Sequence, residues 1–393
     1  MSRPGRIVIA AGGTGGHLFP AQALANELIT RGHEITLITD ERGMRWKDSF
    51  AGTEMVTSDS ATIARRGILG KAQALLTIIS AVWSNYRLLG RLKPAAVVGF
   101  GGYPSVPPMI AAVFRRLPRV IHEQNGVMGR ANRALAPRMT AVGVTVPNPI
   151  GIPARARTRQ TLVGNPVRAE IVKQAGRKYS PPEEEGDINL LVFGGSQGAA
   201  ILSDVVPEAI GLLNEPLQRR LRVCQQARAE DLGRVRAVYE DIGIMALVET
   251  FYNDMPQRIR DAHLVISRSG ASTVCELMVI GRPSVLVPLP QALDGDQAAN
   301  ARYLVEAGGA WLMPQNEMSV EAVRKLLTDL LEDPSALRGA AESAREMGRP
   351  RAAQELADLV ESVARSVDDR KVSGENGGQS AVEATTASTG EGR

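Results

Sequence analysis

Short aliphatic, β-branched runs recur along the chain, and most are followed by a segment whose apolar residues return every three or four positions. The first run is RIVIAA at 6–11. It leads into Gly12-Gly13-Thr14-Gly15-Gly16, a helix-period segment over 17–30, a stop at Arg31-Gly32-His33, and a second run, EITLIT, at 34–39. The spacing then predicts a helix over 71–92, a strand at 95–98, a helix over 108–116 and a strand at 119–122. Strands that alternate with helices form a parallel sheet covered on both faces.

The pattern restarts near the middle. NLLVF at 189–193 is followed by Gly194-Gly195-Ser196-Gln197-Gly198-Ala199-Ala200 and a helix to about residue 213. Set beside RIVIAAGGTGGH, this is the same strand–glycine-loop–helix unit a second time. Strands at 221–225, 246–250, 264–266 and 284–287 follow, with helices at 271–280 and 296–307. The fold class is therefore α/β, with two Rossmann-like units in tandem. Residues 1–173 make the first unit and 188–366 the second, with its closing helices. The polar, Pro-rich stretch 174–187 reads as a linker, and 367–393, without aromatics or periodicity, as a disordered tail with no required role.

At 44% hydrophobic and 22% charged residues, wholesale disorder and a polytopic membrane protein are both excluded. The most apolar run, 72–83, is too short to span about 30 Å of hydrocarbon. The basic N-terminus enters a strand directly and does not read as a signal peptide, so the chain is expected inside the cell. Two cysteines, Cys224 and Cys275, supply neither a disulfide framework nor a Cys/His metal cluster.

Net charge is only +4, but its distribution is uneven. No Asp or Glu occurs from Ser60 to His122, a stretch that carries Arg65, Arg66, Lys71, Arg87, Arg91, Lys93, Arg115, Arg116 and Arg119 among Leu, Ile, Val and Trp83. Basic residues interleaved with aliphatic ones suit an anionic membrane surface or a polyanionic ligand. No nucleic-acid motif accompanies them, and no nucleic-acid partner is expected.

Two glycine loops end at helix N-termini, where free N–H groups favour an anion, although a structural turn explains each loop equally well. Neither is a P-loop, and Leu18 breaks the dinucleotide fingerprint. Asp40, at the end of the second strand, keeps a dehydrogenase reading open. His17 should sit on the first helical turn, where the helix field favours a neutral ring able to accept a proton. His122-Glu123-Gln124-Asn125 closes a strand at the ligand-facing edge of an open sheet. Arg168, near the linker, suits a phosphate or a hinge ion pair. Glu276 could hold a ribose diol or be an ordinary helix acid. Asp294-Gly295-Asp296 reads either as a metal-binding Asp-x-Asp or as a turn with an N-cap.

Seven segments, GGTGGHLFPA (12–21), GGYPSVPP (101–108), HEQNGVMGRAN (122–132), GNPVR (164–168), GGSQGA (194–199), SRSGASTVCE (267–276) and DQAANA (296–301), together resemble the motif set of the MurG family, in order over about residues 6–350. These are the N-acetylglucosaminyltransferases that convert lipid I to lipid II in peptidoglycan synthesis. The resemblance implies a GT-B fold, two Rossmann-like domains facing a cleft, with UDP-N-acetylglucosamine held by the C-terminal domain. The N-terminal domain would meet lipid I, the undecaprenyl-diphosphate-linked muramyl pentapeptide, at the anionic cytoplasmic face of the bacterial inner membrane, as a peripheral protein. It also implies inverting transfer to the muramyl 4-hydroxyl with no cofactor and no metal ion. His17 is then the candidate base, with Glu123 as a neighbouring alternative. Thr14, Gly15 and Gly16 line the cleft. Asn125 and Gln297 meet the donor sugar, Arg168 and Ser196 the diphosphate, and Glu276 the ribose. Tyr252 stands where the family usually carries an aliphatic residue near the uracil. Another UDP-sugar transferase or epimerase, or a non-catalytic nucleotide-binding protein, would share much of this pattern.

Overall fold

Runs that are apolar at every position can be strands only if both sheet faces are covered, and the central strands meet that condition. Ile7, Val8, Ile9 and Ala10 are all fully buried. The computed structural model describes residues 5–58, 68–195, 198–290 and 292–365, with backbone alone for 68–75 and 293. Ser196 and the tail 367–393 lie outside the described residues.

The first sheet comprises β1 (Arg6–Ala10), β2 (Glu34–Thr39), β3 (Thr53–Thr57), β4 (Ala96–Gly99), β5 (Arg119–Glu123), β6 (Ala141–Val144) and β7 (Gln160–Leu162). Its order is β3-β2-β1-β4-β5-β6-β7, parallel throughout. The second comprises β8 (Ile188–Phe193), β9 (Leu221–Gln226), β10 (Met245–Glu249), β11 (Leu264–Ser267), β12 (Ser284–Leu286) and β13 (Ala310–Leu312). Its order is β10-β9-β8-β11-β12-β13, also parallel. Strands β3, β6, β7 and β13 are absent from the sequence reading. Three of them are edge strands, and β6, β7 and β13, with four residues or fewer, are too short to carry a period.

Two features correct the expected division of the chain. Val167 and Ile171 are buried with Val265, Leu277 and Ile280 of the second unit. The helix Ala169–Gln174 therefore packs on that unit, and the crossing comes before Val167 rather than at 174–187. The closing helix, residues 352–365, belongs spatially to the first unit. Its Leu356, Ala357, Val360 and Val363 join Ile7, Ile9, Leu24 and Val98 in one core. Arg31 reaches Asp358 at 2.6 Å and Glu361 at 3.2 Å, and His33 Nε2 lies 3.0 Å from Glu361. Apolar spacing at 356, 357, 360 and 363 announces an amphipathic helix but not which sheet it covers. The chain thus crosses between the units twice.

Candidate functional site

In each sheet the strand order reverses beside the first strand, β1 against β4 and β8 against β11. Loops leaving the carboxyl ends of such strand pairs splay apart and open a crevice. The glycine loop 12–16 and Phe100-Gly101-Gly102 occupy the first switch point. The loop ending at Ala199 and Ser267-Arg268-Ser269-Gly270 occupy the second. Gly101 and Gly102 both have positive φ (85° and 74°), which lets the backbone fold tightly beside His17.

The helix Gly15–Thr30 starts with Thr14 as its N-cap, whose carbonyl accepts from His17 and Leu18 N–H at 3.0 Å. Thr14 and Gly16 are exposed, Gly15 half-buried. His17 Nδ1 is 3.3 Å from Gln124 Oε1. Burial pushes this imidazole below its ordinary value, against the raising effect of the neighbouring Gln124 and Phe100 oxygens. Gln124 Nε2 in turn lies 3.0 Å from Phe100 O and 3.1 Å from both His122 Nδ1 and His122 O. His122 Nε2 meets Gly164 O at 2.8 Å, and burial lowers its pKa to about 4.

Glu123, the alternative base, is spent on structure. Its Oε1 accepts from Asn125 N–H at 3.1 Å, and its Oε2 from Gly129 N–H at 3.0 Å and Asn132 Nδ2 at 2.9 Å. Burial raises its pKa, opposed by these donors. The carboxylate shapes the loop 124–130 that faces the second unit.

Asn300, on the helix Asp296–Glu306, joins the units across the crevice. Its Oδ1 accepts from Gly126 N–H at 2.8 Å, while its Nδ2 donates to Asn125 Oδ1 at 3.0 Å and Ser269 O at 3.2 Å. Arg168 places Nη2 at 3.0 Å and Nε at 3.3 Å from Glu276 Oε1, with its guanidinium 5.2 Å from the Phe19 ring centroid. Arg168 thus forms an ion pair with Glu276 and, with the same guanidinium, lies against Phe19 of the first unit. Both contacts fall on Oε1, and burial raises the Glu276 pKa against the pull of Arg168. Gln297 Oε1 is turned back to accept from Leu289 N–H at 3.0 Å. Asp294 and Asp296 do not converge on one point. Asp294 is held by Arg130 through contacts of 3.0 and 3.1 Å, whereas Asp296 Oδ1 accepts from Gln297 N–H at 2.8 Å. Among the described residues no three His, Cys, Asp or Glu side chains gather as a metal-holding group.

Residues 7–144 match the glycosyltransferase family 28 N-terminal domain, and residues 189–360 the glycosyltransferase family 28 C-terminal domain. The chain is 51% identical over 359 residues to a protein of Chelativorans sp. strain BNC1, covering 91% of this chain and 95% of that one. It is 48% identical to a Rhodospirillum rubrum protein, covering 93% of each. Both relatives are named UDP-N-acetylglucosamine--N-acetylmuramyl-(pentapeptide) pyrophosphoryl-undecaprenol N-acetylglucosamine transferase. The crystal structure of Acinetobacter baumannii MurG superposes with a TM-score of 0.76 at 30% identity, covering 91% of this chain and all of that one. The chain belongs to the MurG family.

Against the MurG frame, two side chains take roles that differ from other readings of the sequence. Asp40 is not poised for a ribose. Its Oδ1 accepts from Gly43 N–H at 3.0 Å and its Oδ2 from Arg42 Nε at 3.0 Å, capping a short helix. Tyr252 is buried in its own unit, its hydroxyl donating to Leu247 O at 2.7 Å beneath the Arg258 guanidinium. Asn300 was not singled out by sequence reasoning, although it lies inside a quoted motif, and Gln124 was marked only as one of four polar residues closing a strand. Polar residues at a strand's carboxyl end were the available signal for Gln124.

The acid-free stretch builds the helix Ile68–Leu92. Ala81, Asn85 and Leu89 are buried on one face, and Leu76, Ile79 and Trp83 are exposed on another. Arg87 stacks on Trp83 at 5.0 Å, and Arg91, Lys93, Phe114 and Arg116 are exposed nearby in sequence. Arg115 and Arg119 are occupied. The first lies 3.9 Å over the Tyr86 ring, and the second donates to Arg138 O and Leu117 O at 2.7 Å. Arg65 and Arg66 lie outside the described residues, as does the Lys71 side chain.

Proposed function

We propose that this MurG-family chain transfers N-acetylglucosamine from UDP-N-acetylglucosamine to the 4-hydroxyl of the muramyl sugar of lipid I, giving lipid II for peptidoglycan. The observation that carries the reading is the meeting of motif loops from both switch points across one crevice, joined by Asn300 and by Arg168, which pairs with Glu276 in the second unit and lies over Phe19 of the first. The arrangement suits a transferase, since donor and acceptor can be held by different units and brought together between them.

In the proposed chemistry the acceptor hydroxyl attacks the anomeric carbon in a single inverting displacement. His17 takes the hydroxyl proton, and the glycosidic electron pair leaves with UDP. A base in this position contributes roughly 100- to 10,000-fold. The open N–H groups at the start of the helix Ala200–Gly211, after Ser196, and the Arg168 guanidinium offset the charge on the departing diphosphate. Glu276 presents Oε2 to the ribose while Arg168 holds Oε1. Thr14, Gly15 and Gly16 line the acceptor side, Asn125 faces the donor sugar, and Gln297, whose Oε1 accepts from Leu289 N–H, has only its amide Nε2 to offer that sugar.

Membrane attachment is peripheral in this reading. Among the described residues no helix is long and apolar enough to cross a membrane. The stripe Leu76, Ile79 and Trp83, beside exposed Arg87, Arg91 and Arg116, has the composition of a helix lying in an anionic headgroup layer.

Purified protein incubated with radiolabelled UDP-N-acetylglucosamine, a lipid I analogue and EDTA should yield labelled disaccharide lipid. Absence of product while the donor still binds would remove the lipid I assignment, and strict metal dependence would restore Asp294 and Asp296 as metal ligands.

A further inference from the structure

The hydrogen-bond chain behind His17 has one consistent assignment of protons. It begins at Gly164, whose carbonyl can only accept, so the proton of neutral His122 sits on Nε2, 2.8 Å away. His122 Nδ1 is then a lone pair. Gln124 Nε2 faces that lone pair and the carbonyls of Phe100 and His122, three acceptors within 3.1 Å. Only the amide NH2 can donate to them, sharing its two N–H groups among the three, so Oε1 is the end that meets His17 Nδ1 at 3.3 Å. A flipped amide would set its oxygen against two carbonyls. It would also need a proton on His122 Nδ1, and burial, which brings the pKa of that ring to about 4, opposes the doubly protonated form.

An amide oxygen cannot donate, so the proton of neutral His17 is on Nδ1. Nε2 is left as a lone pair on the ring edge beside Gly102. A Cβ placed on Gly102 would come within 3.5 Å of this nitrogen, so the glycine keeps the approach to Nε2 clear.

We propose that Gln124 is a positioning residue that locks His17 in the Nδ1–H tautomer and so fixes Nε2 as the atom that receives the acceptor proton. The proposal rests on His17 as the base and deepens that assignment. In the step itself the hydroxyl proton passes to Nε2, the oxygen lone pair forms the bond to the anomeric carbon, and the bond to the diphosphate oxygen breaks with its electron pair on UDP. The imidazolium so formed donates Nδ1–H to Gln124 Oε1 without any rearrangement of the chain. Gln124 touches neither sugar, and its effect should fall on turnover rather than on binding.

Long-range 1H–15N correlation of 15N-histidine-labelled full-length protein near pH 8 reads the tautomer without substrate. Wild-type His17 is expected to show a protonated Nδ1 and a bare Nε2. A protonated Nε2 would overturn the proposal even if no variant folds. In Gln124→Leu the ring should fall to a mixture of tautomers, with kcat down roughly 10- to 1000-fold and KM for both substrates within about threefold, since the wrong tautomer can cost a histidine base up to about 10,000-fold. Gln124→Glu, held neutral by the same three acceptors, can still accept from Nδ1–H. It should keep the tautomer and most of kcat. An unchanged tautomer in Gln124→Leu, or a lost tautomer with kcat within twofold of wild type, would refute the proposal. His17→Ala separates the two assignments. Full turnover there, with the tautomer still locked in wild type, would remove His17 as base and leave Gln124 as a structural lock only.

Discussion

Replacing Arg168 with alanine strips the buried Glu276 carboxylate of its counter-charge, and the cost should depend on pH in a defined direction. Glu276 already titrates above the ordinary carboxylate range because it is buried, and Arg168 is what restrains that rise. Without the guanidinium the folded pKa climbs further. An acid whose folded pKa exceeds its unfolded one binds more protons in the fold, so stability falls as pH rises from the ordinary value to the folded value. Breaking a buried pair costs about 3–5 kcal/mol. The Arg168 side chain is 30% exposed against 8% for Glu276, so water screens part of the loss, and about 1–3 kcal/mol is expected at pH 8. At roughly 2–4 °C per kcal/mol for a unit of this size, that is a fall in Tm of about 2–12 °C. At pH 5 the orphaned carboxyl can take a proton, and the loss should shrink to the small contribution of the Phe19 contact. Thermal melts of wild type, Arg168→Ala and Arg168→Ala/Glu276→Gln at both pH values test this. The double variant should regain most of the loss at pH 8. Equal destabilisation at pH 5 and pH 8, or no recovery in the double variant, would show that the Arg168 effect is not electrostatic.

His122, whose folded pKa of about 4 lies below the ordinary 6.5, contributes stability that is complete above pH 6.5 and lost as pH falls towards 4. Urea midpoints should fall through that window, and His122→Gln should flatten the slope. Leu356→Ala opens a cavity in the core of the first unit and should cost about 2–5 kcal/mol by urea denaturation. A loss below 1 kcal/mol would mean that the closing helix is not docked in solution. Trp83→Ala combined with Leu76→Ser should weaken cosedimentation with phosphatidylglycerol vesicles about tenfold or more, with turnover of a water-soluble short-chain acceptor unchanged. Equal vesicle binding would remove the helix stripe from the membrane contact.

Both sheets were legible in the sequence because their central strands are apolar at every position, and such runs between glycine loops have few other destinations. The motif loops were legible for a related reason: strand order puts the ends of β1, β4, β8 and β11 at the switch points. What escaped depends on contacts through space. Nothing in DQAANA distinguishes Asn300, which bridges the crevice, from Gln297, which turns back on its own loop. Arg168 could be read as a phosphate ligand or a hinge cation, and only the placement of Phe19 and Glu276 shows one guanidinium meeting both units. Asp40 carries the signature of a ribose acid, yet its oxygens are consumed by Gly43 and Arg42, neighbours whose turn the pattern did not predict.

The return of the closing helix to the first unit sets an order on biosynthesis. The last strand of the first sheet ends at Leu162, but Leu356, Ala357, Val360 and Val363, which share its core, are among the last described residues to be made. Arg31 finds Asp358 across a separation of 327 residues. At about 5–20 residues per second, Leu356 follows Leu162 off the ribosome by roughly 10–40 s. Through that interval Ile7, Ile9 and Leu24 lack their cover, so the nascent first unit presents an apolar face to chaperones or to the membrane. The second unit, its core drawn only from residues on its own side of both crossings, can fold while the first still waits for the end of the chain.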